Sequence, residues 1–225
     1  LLSSLSHDLK TPLASITGAV TSLRELGDRM PVETRSDLLL SIEEEAGRLT
    51  RFVANLFEMT RIEAGMIKAR RDPIDLRDVI ASAVSRARRI HPGVDFDVSL
   101  ADDLPAAAAD APLLEQVLFN LLDNARKYGG DGTISVYARG EGREVVLAVT
   151  DEGKGIPEAD LERIFEKFYR RTKGDGRAAG TGLGLAIARG LIMAMGGTIK
   201  AESPAIRRRG TRFVIRLPRS ERAAS

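Results

Sequence analysis

The chain has 225 residues, of which 43% are hydrophobic and 29% charged; this ordinary globular usage excludes wholesale disorder and allows one or two domains. Its 34 basic and 32 acidic side chains leave a net charge of +2, too even a balance for a nucleic-acid-binding or membrane-surface protein. There is no Cys, which rules out a disulfide scaffold, thiol catalysis and Cys-ligated zinc, and fits a reducing, cytosolic location.

No apolar run reaches the roughly 18 residues that a membrane span needs, and no signal-peptide pattern opens the chain. The chain starts without Met, inside a patterned segment, and reads as part of something longer. Glycine is distributed unevenly: residues 1–125 hold 5 of the 21, and residues 126–225 hold the other 16. The first part is therefore expected to be helical and the last part rich in loops.

Leu2, Leu5, Leu9, Leu13, Ile16, Val20, Leu23 and Leu26 recur in steps of three and four, which predicts an amphipathic helix over 1–26. A break follows at 27–31. Leu38, Ile42, Leu49, Phe52, Val53, Leu56, Met59 and Ile62 then resume the period over 33–64, ending near Gly65. Such a hairpin cannot bury its apolar stripes alone. A second copy would complete a four-helix bundle, the favoured reading; packing on the chain's own C-terminal part is the alternative. Residues 66–74 read as a connector. Helices are expected over 75–87, 112–127 (with Pro112 at its start), 158–165 and 182–195. Strands are expected over 94–100, 133–138, 144–150, 198–202 and 211–217, with a turn at 140–142. The second half is thus an α/β sandwich. The expected domains are residues 1–66, a linker 67–74, residues 75–220 and a tail 221–225.

Four segments carry chemistry. In Ser6-His7-Asp8-Leu9-Lys10-Thr11-Pro12-Leu13, His7, Lys10 and Thr11 share a helix face away from the apolar stripe, so His7 is expected to meet water. A solvated surface His is the simplest account of a lone histidine. Two features weigh against it. Asp8 is a carboxylate able to hold an imidazole tautomer or take its proton. Pro12 lies inside the helix at a cost of about 3 kcal/mol, which invites a reason such as a bend beside a reactive group.

Asn120 and Asn124 stand one helical turn apart, and two amide oxygens so placed suit a hydrated Mg²⁺; an amide pair bridging elements suits the spacing equally well. Asp151-Glu152-Gly153-Lys154-Gly155-Ile156 follows an apolar strand. Its carboxylate could accept a hydrogen bond from an exocyclic amine, and its glycines permit close backbone approach. An ordinary turn would look the same. Gly180-Thr181-Gly182-Leu183-Gly184-Leu185 opens a helix, as a phosphate cradle of free N–H groups would. It is neither a P-loop nor the dinucleotide fingerprint. Residues 170–179, between these loops, read as a mobile lid.

Together and in this order, these segments resemble those of sensor histidine kinases of two-component systems. Residues 6–13 resemble the H box, 120–128 the N box, 151–156 the G1 box, Phe165-Glu166-Lys167-Phe168 the F box and 180–184 the G2 box. Gly196-Gly197-Thr198 resembles the last glycine signature. The spelling of residues 1–13 is most similar to the KdpD type of potassium-linked sensors.

The resemblance implies a dimerisation and phosphotransfer hairpin followed by an ATP-binding domain of the Bergerat fold, shared with gyrase-, Hsp90- and MutL-type ATPases (GHKL). His7 would be the phospho-acceptor, Asp8 its general base, and Thr11 the residue positioning water for phosphatase action. Asn124 would hold Mg²⁺ with Asn120 assisting, while Lys127 would approach phosphate and Tyr128 the adenine. Asp151 would read the adenine amine; Gly153, Gly155 and Ile156 would shape that wall, with Phe165 and Phe168 of the F box beside it. Gly180, Thr181, Gly182, Leu183 and Gly184 would form the lid hinge and phosphate loop, and Arg170 would reach the terminal phosphate. The implied ligands are ATP and Mg²⁺. The implied partners are a second copy of the chain and a response regulator, docking near His7, Ser15, Gly18, Ala19 and Ser22, with no nucleic acid. The implied setting is the soluble cytoplasmic part of a membrane-anchored sensor. Two alternatives remain: a GHKL-type ATPase without phospho-histidine, and a nucleotide-binding scaffold. Against the first, Asn120 stands where such an ATPase keeps its glutamate base. Against the second, Asn124, Asp151 and the lid glycines are all present.

Overall fold

The computed structural model describes residues 2–169, 181–206 and 209–221, without the side chains of residues 2–8 and 28. The chain divides into two compact units, Leu1–Glu58 and Met59–Ser225.

The first unit is a helical hairpin. Helix α1 (Leu2–Leu26) runs unbroken through Pro12, a short 3-10 turn follows at Gly27–Arg29, and α2 is Val32–Glu63. Ala19 and Phe52 are buried, and so is Pro12. Part of each apolar stripe stays in solvent, Leu13, Val20 and Leu26 on α1 and Val53 on α2, and Leu40 and Phe57, outside the stripe, are exposed as well. A hairpin covers only the inward part of each helix, and these stripes are wider than that.

The second unit begins with the last turn of α2, where Ile62 lies against Gly190. The division therefore falls earlier than the expected 66/67 boundary. The expected linker belongs to this unit, because Ile67, Ala69 and Ile74 pack against its core. Strand β1 (Asp72–Ile74) ends the connector and pairs antiparallel with β3 (Ala107–Ala109). Between them lie α3 (Leu76–Ile90) and β2 (Phe96–Leu100). Then come α4 (Ala111–Tyr128), β4 (Ile134–Glu141) and β5 (Glu144–Thr150). The unit closes with α5 (Gly184–Ala194), β6 (Thr198–Glu202) and β7 (Arg212–Pro218). The main sheet has the order β2-β4-β5-β7-β6, with β2 parallel to β4 and every other pair antiparallel.

Local chemistry sets the helix starts. Asp75 caps α3 by accepting the Arg77 N–H at 2.8 Å, and Asp110 caps α4 by accepting that of Leu113 at 3.3 Å. Each helix buries one face: Val79, Ala83 and Val84 from α3, Leu114, Leu118 and Leu121 from α4, Ile187 and Leu191 from α5. At about 1.5–3 kcal/mol for each large aliphatic side chain, this shared core fixes α4 and α5 over the sheet. The expected helix over 158–165 is instead two 3-10 turns, Glu158–Asp160 and Arg163–Phe165. Their amides close i→i+3 bonds, Leu161 to Glu158 and Glu166 to Arg163, while Ile164 and Phe165 enter the core.

Candidate functional site

Within the second unit, the fold brings together segments far apart in sequence: Asp151 meets Thr211 across 60 residues and Asn120 meets Gly184 across 64. Asp151 follows β5, and the pairing of Thr150 with Arg212 carries it alongside Thr211, just before β7. Asp151 donates its N–H to the Thr211 carbonyl at 2.9 Å. Its side chain is 3% exposed, and its Oδ1 accepts the N–H groups of Gly153 at 2.8 Å and Thr211 at 3.2 Å. Among the described residues, Oδ2 has no hydrogen-bond partner. Burial pushes the Asp151 carboxyl above its ordinary 3.8, and the two backbone N–H bonds offset part of that rise. The site therefore holds a partly desolvated carboxylate with a free acceptor oxygen, chemistry that fits an amine donor.

The C-terminal end of α4 lies directly against this segment. A Cβ on Gly129 would fall 2.9 Å from the Asp151 Cβ, and one on Gly153 would fall 2.3 Å from the Tyr128 carbonyl oxygen. The glycines are thus needed for backbone contact at these positions. Asn124 is half-buried on α4, and its amide makes no hydrogen bond among the described residues. Asn120 donates to the Gly184 carbonyl at 3.5 Å, a long contact that links α4 to the first residue of α5. No cluster of three or more His, Cys, Asp or Glu side chains suited to a metal occurs among the described residues. An Mg²⁺ sharing amide oxygens with phosphates fits Asn124 and Asn120, and needs no carboxylate cage. Lys127 pairs with Asp123, which also meets His91 Nε2 at 3.1 Å. The Tyr128 side chain is 51% exposed.

The F box meets the α5 entry. Phe168 adopts φ 61°, a left-handed conformation that is unusual for an aromatic residue. It donates its N–H to the Gly182 carbonyl at 3.0 Å. Gly182 has φ +68°, and a Cβ there would fall 2.8 Å from the Phe168 Cα. Phe165 is buried, edge-on to Phe213 at 6.3 Å, so the structure places it in the core behind the site. Leu183 is also wholly buried. Thr181 Oγ1 accepts the Leu183 N–H at 3.3 Å, a local tie just ahead of α5. In the segment after Asp151, Ile156 is half-buried and Gly155 has φ +74°. Arg170, Gly180 and the rest of the expected lid lie outside the described residues.

In the first unit, the backbones of His7 and Asp8 are part of α1, and their side chains lie outside the described ones. Thr11, Ser15 and Gly18 are exposed and Ser22 is half-exposed. Ala19, grouped with them on helical spacing, is 7% exposed, so it packs inside the hairpin and is withdrawn from the docking face. Its neighbours one turn away differ because the hairpin contact runs along the edge of that face.

Sequence reasoning missed Gly129, Ser203, Gly210 and Thr211. A Gly-Thr pair before the last apolar strand was the available signal for two of these.

Residues 1–65 match the family described as "His Kinase A (phospho-acceptor) domain". Residues 109–221 match "Histidine kinase-, DNA gyrase B-, and HSP90-like ATPase". The chain is 40% identical over 207 residues to the sensor protein KdpD of Mycobacterium tuberculosis (strain H37Rv), covering 89% of this chain and 24% of that protein. It spans about a quarter of the length of the KdpD relatives it matches. Full-length ShkA, solved in complex with AMPPNP, shares the fold at a TM-score of 0.71 and 28% identity, over 99% of this chain and 46% of that one. ThkA, solved in complex with the response regulator protein TrrA, superposes at 0.76 and 24% identity, over 97% and 61%. No helix among the described residues is long and apolar enough to cross a membrane. The chain belongs to the histidine kinase family, joining its phospho-acceptor domain to its HATPase domain.

Proposed function

We propose that the chain is the catalytic core of a sensor histidine kinase, which phosphorylates itself on His7 from ATP and passes the phosphoryl group to an aspartate of a response regulator. The observation that carries the reading is that the four boxes of the second unit touch one another in series around Asp151, whose second carboxylate oxygen has no hydrogen-bond partner among the described residues. The N box abuts the G1 box through Gly129 and Gly153, and the F box clasps the G2 box through Phe168 and Gly182.

Each residue then has a role. Asp151 Oδ2 accepts the adenine amine, and Gly153, Gly155 and Ile156 form the wall beside it. Tyr128 lies at the adenine edge and Lys127 reaches toward phosphate. Phe168 and the segment from Thr181 to Gly184 hold the phosphate loop, with Gly180 and Arg170 completing it. Asn124, helped by Asn120, holds Mg²⁺, which when bound neutralises phosphate charge. The His7 imidazole attacks the γ-phosphorus in line; the N–P bond forms as the bond to the β-phosphate oxygen breaks. Asp8 takes the imidazole proton and ADP leaves. Thr11 positions water for hydrolysis of the regulator's acyl phosphate.

The exposed apolar side chains of α1 and α2 support a homodimer through the hairpin, since a second copy would cover Leu13, Val20 and Val53 of the stripes together with Leu40 and Phe57. The regulator docks beside His7 on the face that holds Ser15, Gly18 and Ser22. Swapping these three is expected to change regulator preference and spare autophosphorylation.

Calorimetry with Mg²⁺ and AMPPNP tests the nucleotide site: saturable binding that Asn124→Ala removes is expected, and no binding would favour a scaffold. Steady-state phosphate release tests the acceptor. His7→Gln is expected to suppress it, whereas turnover at the wild-type rate would indicate an ATPase without phospho-histidine.

A further inference from the structure

We propose that Ser203, on the connection between β6 and β7, is a positioning residue for the carboxylate of Asp151 and thereby for base recognition. This rests on the reading of Asp151 as the acceptor of the adenine amine. The Ser203 hydroxyl lies between two loops. Its Oγ accepts the Ile156 N–H at 2.8 Å and donates to the Gly210 carbonyl at 2.9 Å. Gly210 in turn donates its N–H to the Gly153 carbonyl at 2.8 Å. Gly153 and Thr211, the two residues whose N–H groups aim Asp151 Oδ1, are thus each one step from Gly210: one by a hydrogen bond, the other by a peptide bond.

Packing supports the same chain of contacts. A Cβ on Gly155 would fall 2.6 Å from Ser203 Oγ and 3.2 Å from the Gly210 carbonyl oxygen, so the hydroxyl fills the space that a side chain at 155 would need. A Cβ on Gly210 would fall 2.2 Å from the Asp151 carbonyl oxygen, so the backbone meets that of Asp151 closely and leaves no room for a side chain. A second tie, Arg209 to Glu152 at 2.7 Å, is exposed at the rim and screened by water. Ser203 is half-buried and joins both loops through backbone groups. Replacing it with Ala leaves the Ile156 N–H and Gly210 carbonyl without their hydroxyl partner, and the loops lose the register that aims Asp151.

The test measures binding of ADP and of purine riboside 5′-diphosphate, which lacks the exocyclic amine, to the full chain with Mg²⁺. The ratio of the two affinities reports the amine contact alone. Ser203→Ala is expected to lower that ratio about fivefold, the scale of one neutral hydrogen bond, with the deamino nucleotide bound as before. Ser203→Thr, which keeps the hydroxyl, is expected to retain the ratio. Amide exchange of Ile156 in the nucleotide-free protein is expected to quicken in Ser203→Ala. Equal weakening of both nucleotides, an unchanged ratio, an unchanged Ile156 exchange rate, or the same loss in Ser203→Thr would each overturn the proposal. Asp151→Asn separates the two ideas. If it collapses the ratio while Ser203→Ala does not, the role of Ser203 alone is wrong. If it leaves the ratio intact, the reading of Asp151 fails and the inference falls with it.

Discussion

Asp151→Asn is expected to separate folding from binding. The substitution keeps the volume and keeps one carbonyl-type oxygen for the Gly153 and Thr211 N–H groups, now bonded 2.8 and 3.2 Å away. It turns the unpartnered oxygen into an NH₂ donor, which faces the adenine amine donor to donor. A hydrogen bond to a charged acceptor contributes about 1.5–3 kcal/mol, so ATP affinity is expected to fall about 10- to 150-fold. Stability moves differently. Burial raises the Asp151 carboxyl above its ordinary 3.8, so the folded state prefers the protonated form. That preference stabilises the fold fully below the ordinary value and is lost as pH rises through the raised one. At neutral pH the wild-type protein therefore carries the cost of a buried charge, which Asn removes. The variant is expected to be as stable as wild type at pH 7 or more stable, and the difference is expected to shrink on acidification through the raised value. Nucleotide binding runs the other way in the wild type: it is expected to weaken as pH falls through that same range, because a protonated carboxyl is a poorer acceptor. Denaturant melts from mildly acidic to neutral pH, with calorimetry at each, check both halves. Full ATP affinity in the variant, or a loss of more than about 2 kcal/mol of stability at pH 7, would refute the reasoning.

Asn124→Ala removes an amide with no partner among the described residues, so stability is expected to stay within about 0.5 kcal/mol while Mg²⁺-dependent nucleotide binding is lost; melts and calorimetry on one preparation decide it. Gly182→Ala adds a Cβ within 2.8 Å of Phe168 at a positive φ, and is expected to cost about 1–3 kcal/mol and weaken nucleotide binding, read by denaturant titration and calorimetry. Leu121→Ala hollows the wholly buried face of α4, and is expected to cost about 2–5 kcal/mol in a denaturant melt.

Most of the architecture was legible because long segments with a single period dominate it. The stripes of α1 and α2, and Pro112 at the start of α4, are local signals that tertiary context reinforces. The short strands were not legible. β1 contains Pro73 and β3 is Ala107-Ala108-Ala109, so neither has β propensity; their pairing comes from where α3 and α4 place the chain. The site divided along the same line. Asn124, Asp151 and the glycine pairs stand out by local spacing. Thr211 joins Asp151 only through the register of β5 with β7, and Ser203 reaches Ile156 across 47 residues, so no window of sequence holds either pair. Ala19 failed for the converse reason: helical spacing gives a face, and only the packing of the hairpin decides which edge of that face is covered.

The central claim is that a nucleotide held by Asn124 and Asp151 gives its terminal phosphoryl group to His7. Incubating the purified chain with Mg²⁺ and γ-labelled ATP, beside His7→Gln and Asn124→Ala, tests it most directly. Protein-bound label that is acid-labile and alkali-stable, and absent from both variants, is expected. Label that persists in His7→Gln, or that withstands acid, would contradict it.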